Sequence, residues 1–240
     1  MIGFFRGIRR KMANENKFVQ YSRYAIGEIV LVMVGILLAL QVNNWNERRI
    51  GHNNEIKLIK QLLEDAKADS IFFESRISFQ KVRDTLYGDL ILYSINRKLD
   101  SLGQKPVKVS PFFFRLAYQS NLINNNPNAY DNLSHELIKN KLREYNAAYD
   151  YVVHSIDLSN RIIEEYGIPL QMKYQKQLRA YFSKNSIIED MTFVLNDESV
   201  IAVFESFKYF GINYKNQLEA FLIVNQELKA LLGIYLLNNE

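Results

Sequence analysis

The stretch that limits every fold open to this chain is Tyr24 to Trp45, YAIGEIVLVMVGILLALQVNNW, with an unbroken apolar run from Ile29 to Leu40. That run alone is too short to cross a bilayer. Extended outward to Tyr24 and Val42, the window holds a single charge, Glu28. At about 1.5 Å per residue, a helix over this stretch is roughly 31 Å long, close to a hydrocarbon core of about 30 Å. Arg23 and Tyr24 at one end and Trp45 at the other suit the two polar interfaces. The expectation is one transmembrane helix over residues 24–45.

Two other readings fit a run of this size, a cleaved secretory signal and a buried core helix. Against the signal, Leu37 and Ala39 supply one small residue where a cleavage site wants two, and the basic segment before the run is long. Against the core helix, the run is apolar all round, whereas a helix with one wet face alternates.

Charge sets the orientation. Arg6, Arg9, Arg10, Lys11, Lys17 and Arg23 precede the span against Glu15 alone, a surplus of five. The whole chain carries +4, so everything after residue 23 sums to −1. A nucleic-acid-binding face would need its cations on the folded body, so that function is not expected. Six Lys/Arg precede the span and four, Arg48, Arg49, Lys57 and Lys60, follow within a comparable distance; on that modest excess the basic head, residues 1–23, is expected in the cytoplasm and residues 46–240 on the far side of a bacterial inner membrane. The chain has no cysteine, which suits an oxidising exterior. In the head, Ile2, Phe5, Ile8 and Met12 share a helical face that can lie on an anionic membrane surface; a frayed tail that only fixes topology fits as well. Asn14 to Lys17 reads as a polar hinge.

After a polar juxtamembrane segment, Glu55 to about Asn96 reads as a long helix. Leu58, Leu62, Phe72, Phe79, Leu86 and Leu90 follow one register with Ile59, Leu63, Phe73 and Ile77 beside it, and Gly88 is a point of interruption. Asp100 to Pro111 reads as a loop, Phe112 to Ile123 as a short helix, and Asn124 to Pro127 as a turn. Ser134 is placed as an N-cap of a helix carrying Ile138, Leu142, Tyr145, Tyr149, Val152, Ile156, Ile163 and Tyr166, stopped by Gly167 and Pro169. A helix from Pro169 to Phe182 and a shorter piece over Ser186 to Leu195 follow. Asp197 is placed as the cap of a helix ending at Gly211, and a last amphipathic helix runs from Tyr214 to Leu237. No sustained period-2 alternation occurs. The expected fold is all-α, a single transmembrane helix followed by an extracytoplasmic antiparallel helical bundle.

Chemistry is hard to place. His52, His135 and His154 have no metal-ligand spacing, so no metal site and no cofactor are expected. Asp65 and Asp69 sit four apart beside Glu64; flanked by Lys60 and Lys67, they read as a solvated helix face. Tyr145, Tyr149, Tyr151 and Tyr166 at helical spacing read as core before pocket. No phosphate-cradling glycine loop or nucleophile elbow is present, and the chain is not expected to be an enzyme.

Glu28 needs an explanation, because a carboxylate inside a span is costly. It lies about 6 Å along the helix from Tyr24, within reach of the headgroups or Arg23. It also shares a stripe with Gly35, Ala39, Val42 and Asn46. Gly35 and Ala39 form a small-xxx-small pair that admits a second helix, across which Glu28 can hydrogen-bond. Glu28, Gly35, Ala39 and Val42 are therefore the candidate helix–helix contact.

The residues Tyr24 to Ile29, Gly35 to Leu40 and Asn43 to Glu47, behind the head FFRGIRRKM, resemble the start of a bacterial membrane family, domain-of-unknown-function family 6090. Ser120 to Tyr145 is similar to a later family stretch in which an asparagine-leucine turn leads into a helix. The resemblance implies a membrane location and supplies no activity, substrate or cofactor. The reading it joins is a single-pass protein with a structural or interaction role, its partners the lipid bilayer and a second copy of itself or another membrane protein. An extracytoplasmic sensory or ligand-binding bundle is the alternative; with about 23 residues inside, it would have to signal through a membrane partner.

Overall fold

The computed structural model describes residues 18–96, 115–116, 118–182 and 191–239. The expectations for the basic head, the hinge at 14–17, the loop at 100–111 and residues 186–190 lie outside the described residues. Described residues form helices and connecting turns, with no strand among them. The chain divides into two units, Met1–Glu55 and Ile56–Glu240.

The first helix, α1 (Phe18–Asn96), runs without interruption through both Gly51 and Gly88. A Cβ built at Gly51 would meet nothing within 4 Å, and one at Gly88 only the Lys208 ammonium, so neither glycine is there to break the helix. Within the first unit, its residues from Ile29 to Trp45 are all exposed, including Leu31 at 74% and Ile29 at 61%.

The second unit is held by three long helices: the part of α1 from residue 56, α4 (Glu136–Ile162) and α8 (Glu198–Asn239). Between them lie two short helices, α2 (Asn121–Asn125) and α3 (Ala129–Asn132). After α4 the chain passes through a π-turn (Ile163–Gly167) into α5 (Ile168–Lys173), α6 (Gln175–Phe182) and α7 (Thr192–Leu195). Directions follow from the contacts. Phe73 meets Phe221 while Tyr87 meets Phe204, so α8 runs opposite to α1. His135 meets Tyr235 while Tyr149 meets Phe221, so it runs opposite to α4 as well.

The core row on α1 is Ile59, Leu62, Ala66, Phe73 and Ile77; Leu58, Leu63 and Phe72 flank it half-buried. On α8 the row is Leu218, Phe221, Leu228 and Leu232, each fully buried. Phe73 and Phe221 pack edge to face with centroids 4.6 Å apart, a geometry worth about 0.5–1.5 kcal/mol beyond area burial. A second cluster, around Tyr87, Leu90, Val194, Phe204 and Phe207, closes the other end.

Several expected boundaries move. Residues 115, 116 and 118–120 are not helical, and the short helix begins only at Asn121. The cap of α4 is His135, not Ser134; its Nδ1 accepts the Ile138 N–H at 3.4 Å. Gly167 and Pro169 do not stop the chain of helices. Gly167 keeps helical angles, and Pro169 sits in the first turn of α5, where its missing N–H costs little. The register changes instead in the π-turn, in which the Ile168 N–H reaches back five residues to the Ile163 carbonyl. A further break falls at Tyr174, between α5 and α6.

Gly211 does not end a helix either: α8 is one helix of 42 residues. Gly211 is there for space. A Cβ on it would lie 2.1 Å from the Gln80 amide nitrogen and 2.9 Å from an Asp84 oxygen. The Asp197 cap is as expected, its carboxylate accepting the Ser199 N–H at 2.9 Å.

Candidate functional site

The sequence singles out one contact in the first unit, and the second unit contains another centre that it hides. Along α1, Gly35 is open, with no atom within 4 Å of a Cβ placed on it. Ala39 is exposed, Val42 is 63% exposed, and Glu28 is half-buried. The four lie on one stripe of a helix. Arg23 and Tyr24 are exposed at one end of the apolar run. At the other end the Arg49 guanidinium lies over the Trp45 ring, 5.2 Å from its centroid. That partner for Trp45 was readable from i, i+4 spacing.

By length and composition, two helices can cross a membrane, one within Ser22–Ile95 and one over Glu198–Asn239. They differ in cover. None of the most apolar window of α1 is buried, whereas 22% of that of α8 is. The buried part of α8 is its core row, which packs with α1 and α4, while Ile223, Ile234 and Leu237 of the same helix are exposed.

In the second unit the expected solvated face is exposed at Lys60, Glu64 and Lys67 and half-buried at Asp65, but it fails at Asp69. Asp69 is 0% exposed. Its carboxylate accepts the Ser120 hydroxyl at 2.6 Å, the Tyr145 hydroxyl at 2.6 Å, the Asn121 N–H at 2.8 Å and the Leu122 N–H at 3.3 Å. Two of these donors are first-turn N–H groups of α2, which have no partner inside the helix. A buried carboxylate at a helix N-terminus satisfies them and is in turn stabilised by the helix dipole. Ser120 is the N-cap of the same helix, its Oγ accepting the Ile123 N–H at 3.2 Å, while its own N–H donates to the Tyr149 hydroxyl. One turn earlier on α1, Asp65 accepts the side-chain amides of Asn125 and Asn126 at 3.0 and 2.8 Å. The two carboxylates therefore fasten residues 120–126 to α1 from both ends.

The rings around this centre are held neutral. Burial pushes the Tyr145 phenol well above its ordinary value, and the Asp69 charge adds to that; burial does the same to Tyr118. Tyr214 is pushed up to about 12, again by burial. Tyr145 and Tyr149 meet at Ser120, but Tyr151 and Tyr166 are 66% and 52% exposed, so the four tyrosines do not form one pocket. On α8, Asn225 is also fully buried; its amide donates to the Ala66 carbonyl and the Ser70 hydroxyl, both at 2.9 Å, and its Oδ1 has no partner. Among the described residues, no group of three or more His, Asp or Glu side chains could hold a metal ion.

With both Asp69 oxygens occupied by fixed donors, the arrangement holds the asparagine-rich segment in place. It does so with residues that lie in the second stretch of family resemblance, Ser120 to Tyr145. The model of the family of unknown function DUF6090 matches residues 28–206, well over half of the chain. The chain belongs to DUF6090. No curated protein and no solved structure matches it. The DUF6090 match opens at Glu28 and takes in Gly35, Ala39, Val42, Trp45, Asp65, Asp69, Ser120 and Tyr145. It leaves out the basic head, Arg23 and Tyr24, and the part of α8 that carries Asn225.

Proposed function

We propose that this DUF6090 member is a single-pass membrane-anchored protein of the cell envelope, with a non-catalytic interaction or structural role. The observation that carries the reading is the apolar surface of α1 from Ile29 to Val42, exposed on every side of the helix. Water opposes burial-sized apolar area on all faces, and lipid is the solvent that accepts it. The Lys/Arg surplus before the run favours a cytoplasmic N-terminus in a bacterial inner membrane and a periplasmic helical domain.

The partner is a second copy or another membrane protein, met through Glu28, Gly35, Ala39 and Val42. The open surface at Gly35 supports that contact, because a neighbouring backbone can approach there. A cleft of about 620 Å³, lined by Glu165 and Tyr166 of the π-turn and by Ala202 and Val203 of α8, favours a second reading, an extracytoplasmic sensory or ligand-binding bundle acting through a membrane partner.

Fusion of alkaline phosphatase after Glu240 tests the topology: active enzyme is expected, and fluorescence from green fluorescent protein at that position would reverse it. For the contact, a membrane two-hybrid assay of the span compares wild type with Gly35→Ile and Glu28→Leu. Loss of association in either variant is expected, and unchanged association in both removes the stripe from the account.

A further inference from the structure

Residues 162–170, through the π-turn, and α8 together line a cleft of about 620 Å³. Its size falls within the roughly 300–1,000 Å³ of ordinary small-molecule sites. The cause is local. The α8 face that looks onto it carries Ser199, Ala202 and Ser206, small side chains at helical spacing where larger ones would fill the gap. Opposite, Pro169 has no N–H and the π register adds a residue to the turn. Single-turn π-bulges of this kind occur often at functional sites.

The lining is divided. Val203, Ile162 and Leu170 make an apolar floor, with Val203 buried and the other two half-buried. At the rim stand Glu165 and Tyr166, both exposed. Two pairs of charges lie nearby, Glu164 with Arg115 and Lys173 with Asp197 at 2.6 Å, while Arg161, one turn before Glu165, is exposed. Glu165 has no ion pair or hydrogen bond among the described residues, and Tyr166 is 52% exposed. An uncommitted carboxylate beside an open aromatic face recognises an ammonium, through charge and through cation–π attraction.

We infer that the cleft between the π-turn and α8 binds a small molecule combining an apolar body with one ammonium group. The body lies on Val203, Ile162 and Leu170, and the ammonium meets Glu165 and the Tyr166 ring. The inference stands apart from the membrane reading, since every residue in it belongs to the helical unit.

The test uses the full chain in lipid nanodiscs, with empty nanodiscs subtracted, and titrates phenethylammonium and its neutral counterpart 2-phenylethanol by calorimetry. Saturable phenethylammonium binding is expected. Glu165→Gln should weaken it about tenfold and leave 2-phenylethanol within twofold, and Ala202→Trp, which fills the cleft from an exposed helix position, should abolish both. A circular dichroism spectrum matching wild type shows that each variant is folded. Absence of saturable binding to the wild-type chain overturns the inference, as does equal affinity in wild type and Glu165→Gln.

Discussion

Replacing Asp69 by Ala isolates what the buried carboxylate does. Four donors lose their acceptor. The Ser120 and Tyr145 hydroxyls lie 3.3 Å apart and can turn toward each other, so they are largely recovered. The Asn121 and Leu122 N–H groups have no such option, being first-turn donors of α2. At about 1–3 kcal/mol for each orphaned buried donor, the substitution should cost about 2–6 kcal/mol. Asp69→Asn keeps the shape but puts an NH2 against one of those two N–H groups in either orientation, for about 1–3 kcal/mol. Tyr145→Phe removes one charged hydrogen bond of four and keeps the ring on Phe221, for about 1.5–3 kcal/mol. Urea unfolding of the full chain in micelles, followed by far-ultraviolet circular dichroism, measures the three costs. Hydrogen exchange locates them: in Asp69→Asn the amides of residues 118–126 should exchange fastest relative to wild type. A cost below about 1 kcal/mol for Asp69→Ala, or protection lost evenly over the chain, would refute the assignment of Asp69 as the fastener.

Two further perturbations follow from the same geometry. Gly211→Ala must displace the buried Gln80 amide and disturb its 2.7 Å bond to Asp84, so overpacking of about 1–3 kcal/mol should outweigh a helix-propensity gain near 1 kcal/mol. Gly233→Ala on the same helix meets nothing within 4 Å and should stabilise by about 0.5–1 kcal/mol; thermal unfolding of the pair gives opposite signs, and the same sign for both contradicts the packing argument. The Lys173 ammonium, then the Tyr174 hydroxyl and the Ser199 N–H, hold the Asp197 carboxyl well below its ordinary 3.8. Its contribution is therefore whole above pH 3.8 and declines as pH falls below that toward the lower folded value. The stability gap between wild type and Asp197→Asn should be flat from neutral pH down to about 4 and narrow below it; a gap that does not change with pH speaks against the cap carrying the charge.

The helices were legible where apolar spacing was dense, as on α4 and along α8 beyond Tyr214. The breaks were not. Gly88, Gly167 and Gly211 read as stops, because a glycine signals a boundary only when the chain needs an unusual backbone there. At Gly167 the backbone is helical, and at Gly211 the requirement is room for Gln80. The sequence hides Asp69 because its partners lie 51 to 76 residues on, while the charges beside it, Lys60 and Lys67, are near in sequence. One signal was available. Ile59, Leu62, Ala66, Asp69 and Phe73 keep 3-4 spacing, as do Leu218, Phe221, Asn225, Leu228 and Leu232. A polar residue standing in a core register needs partners there: the Asp69 carboxylate accepts four hydrogen bonds, and the Asn225 amide donates two while its Oδ1 has none. The cleft left no trace in the apolar pattern, since it arises from what Ser199, Ala202 and Ser206 fail to fill.

The proposed anchor requires lipid around the apolar surface of α1 from Ile29 to Val42. Membranes from cells expressing the full chain, washed in alkaline sodium carbonate and sedimented, give the direct reading. The chain should stay in the pellet and leave it only with detergent, and its appearance in the carbonate supernatant would contradict the membrane anchor.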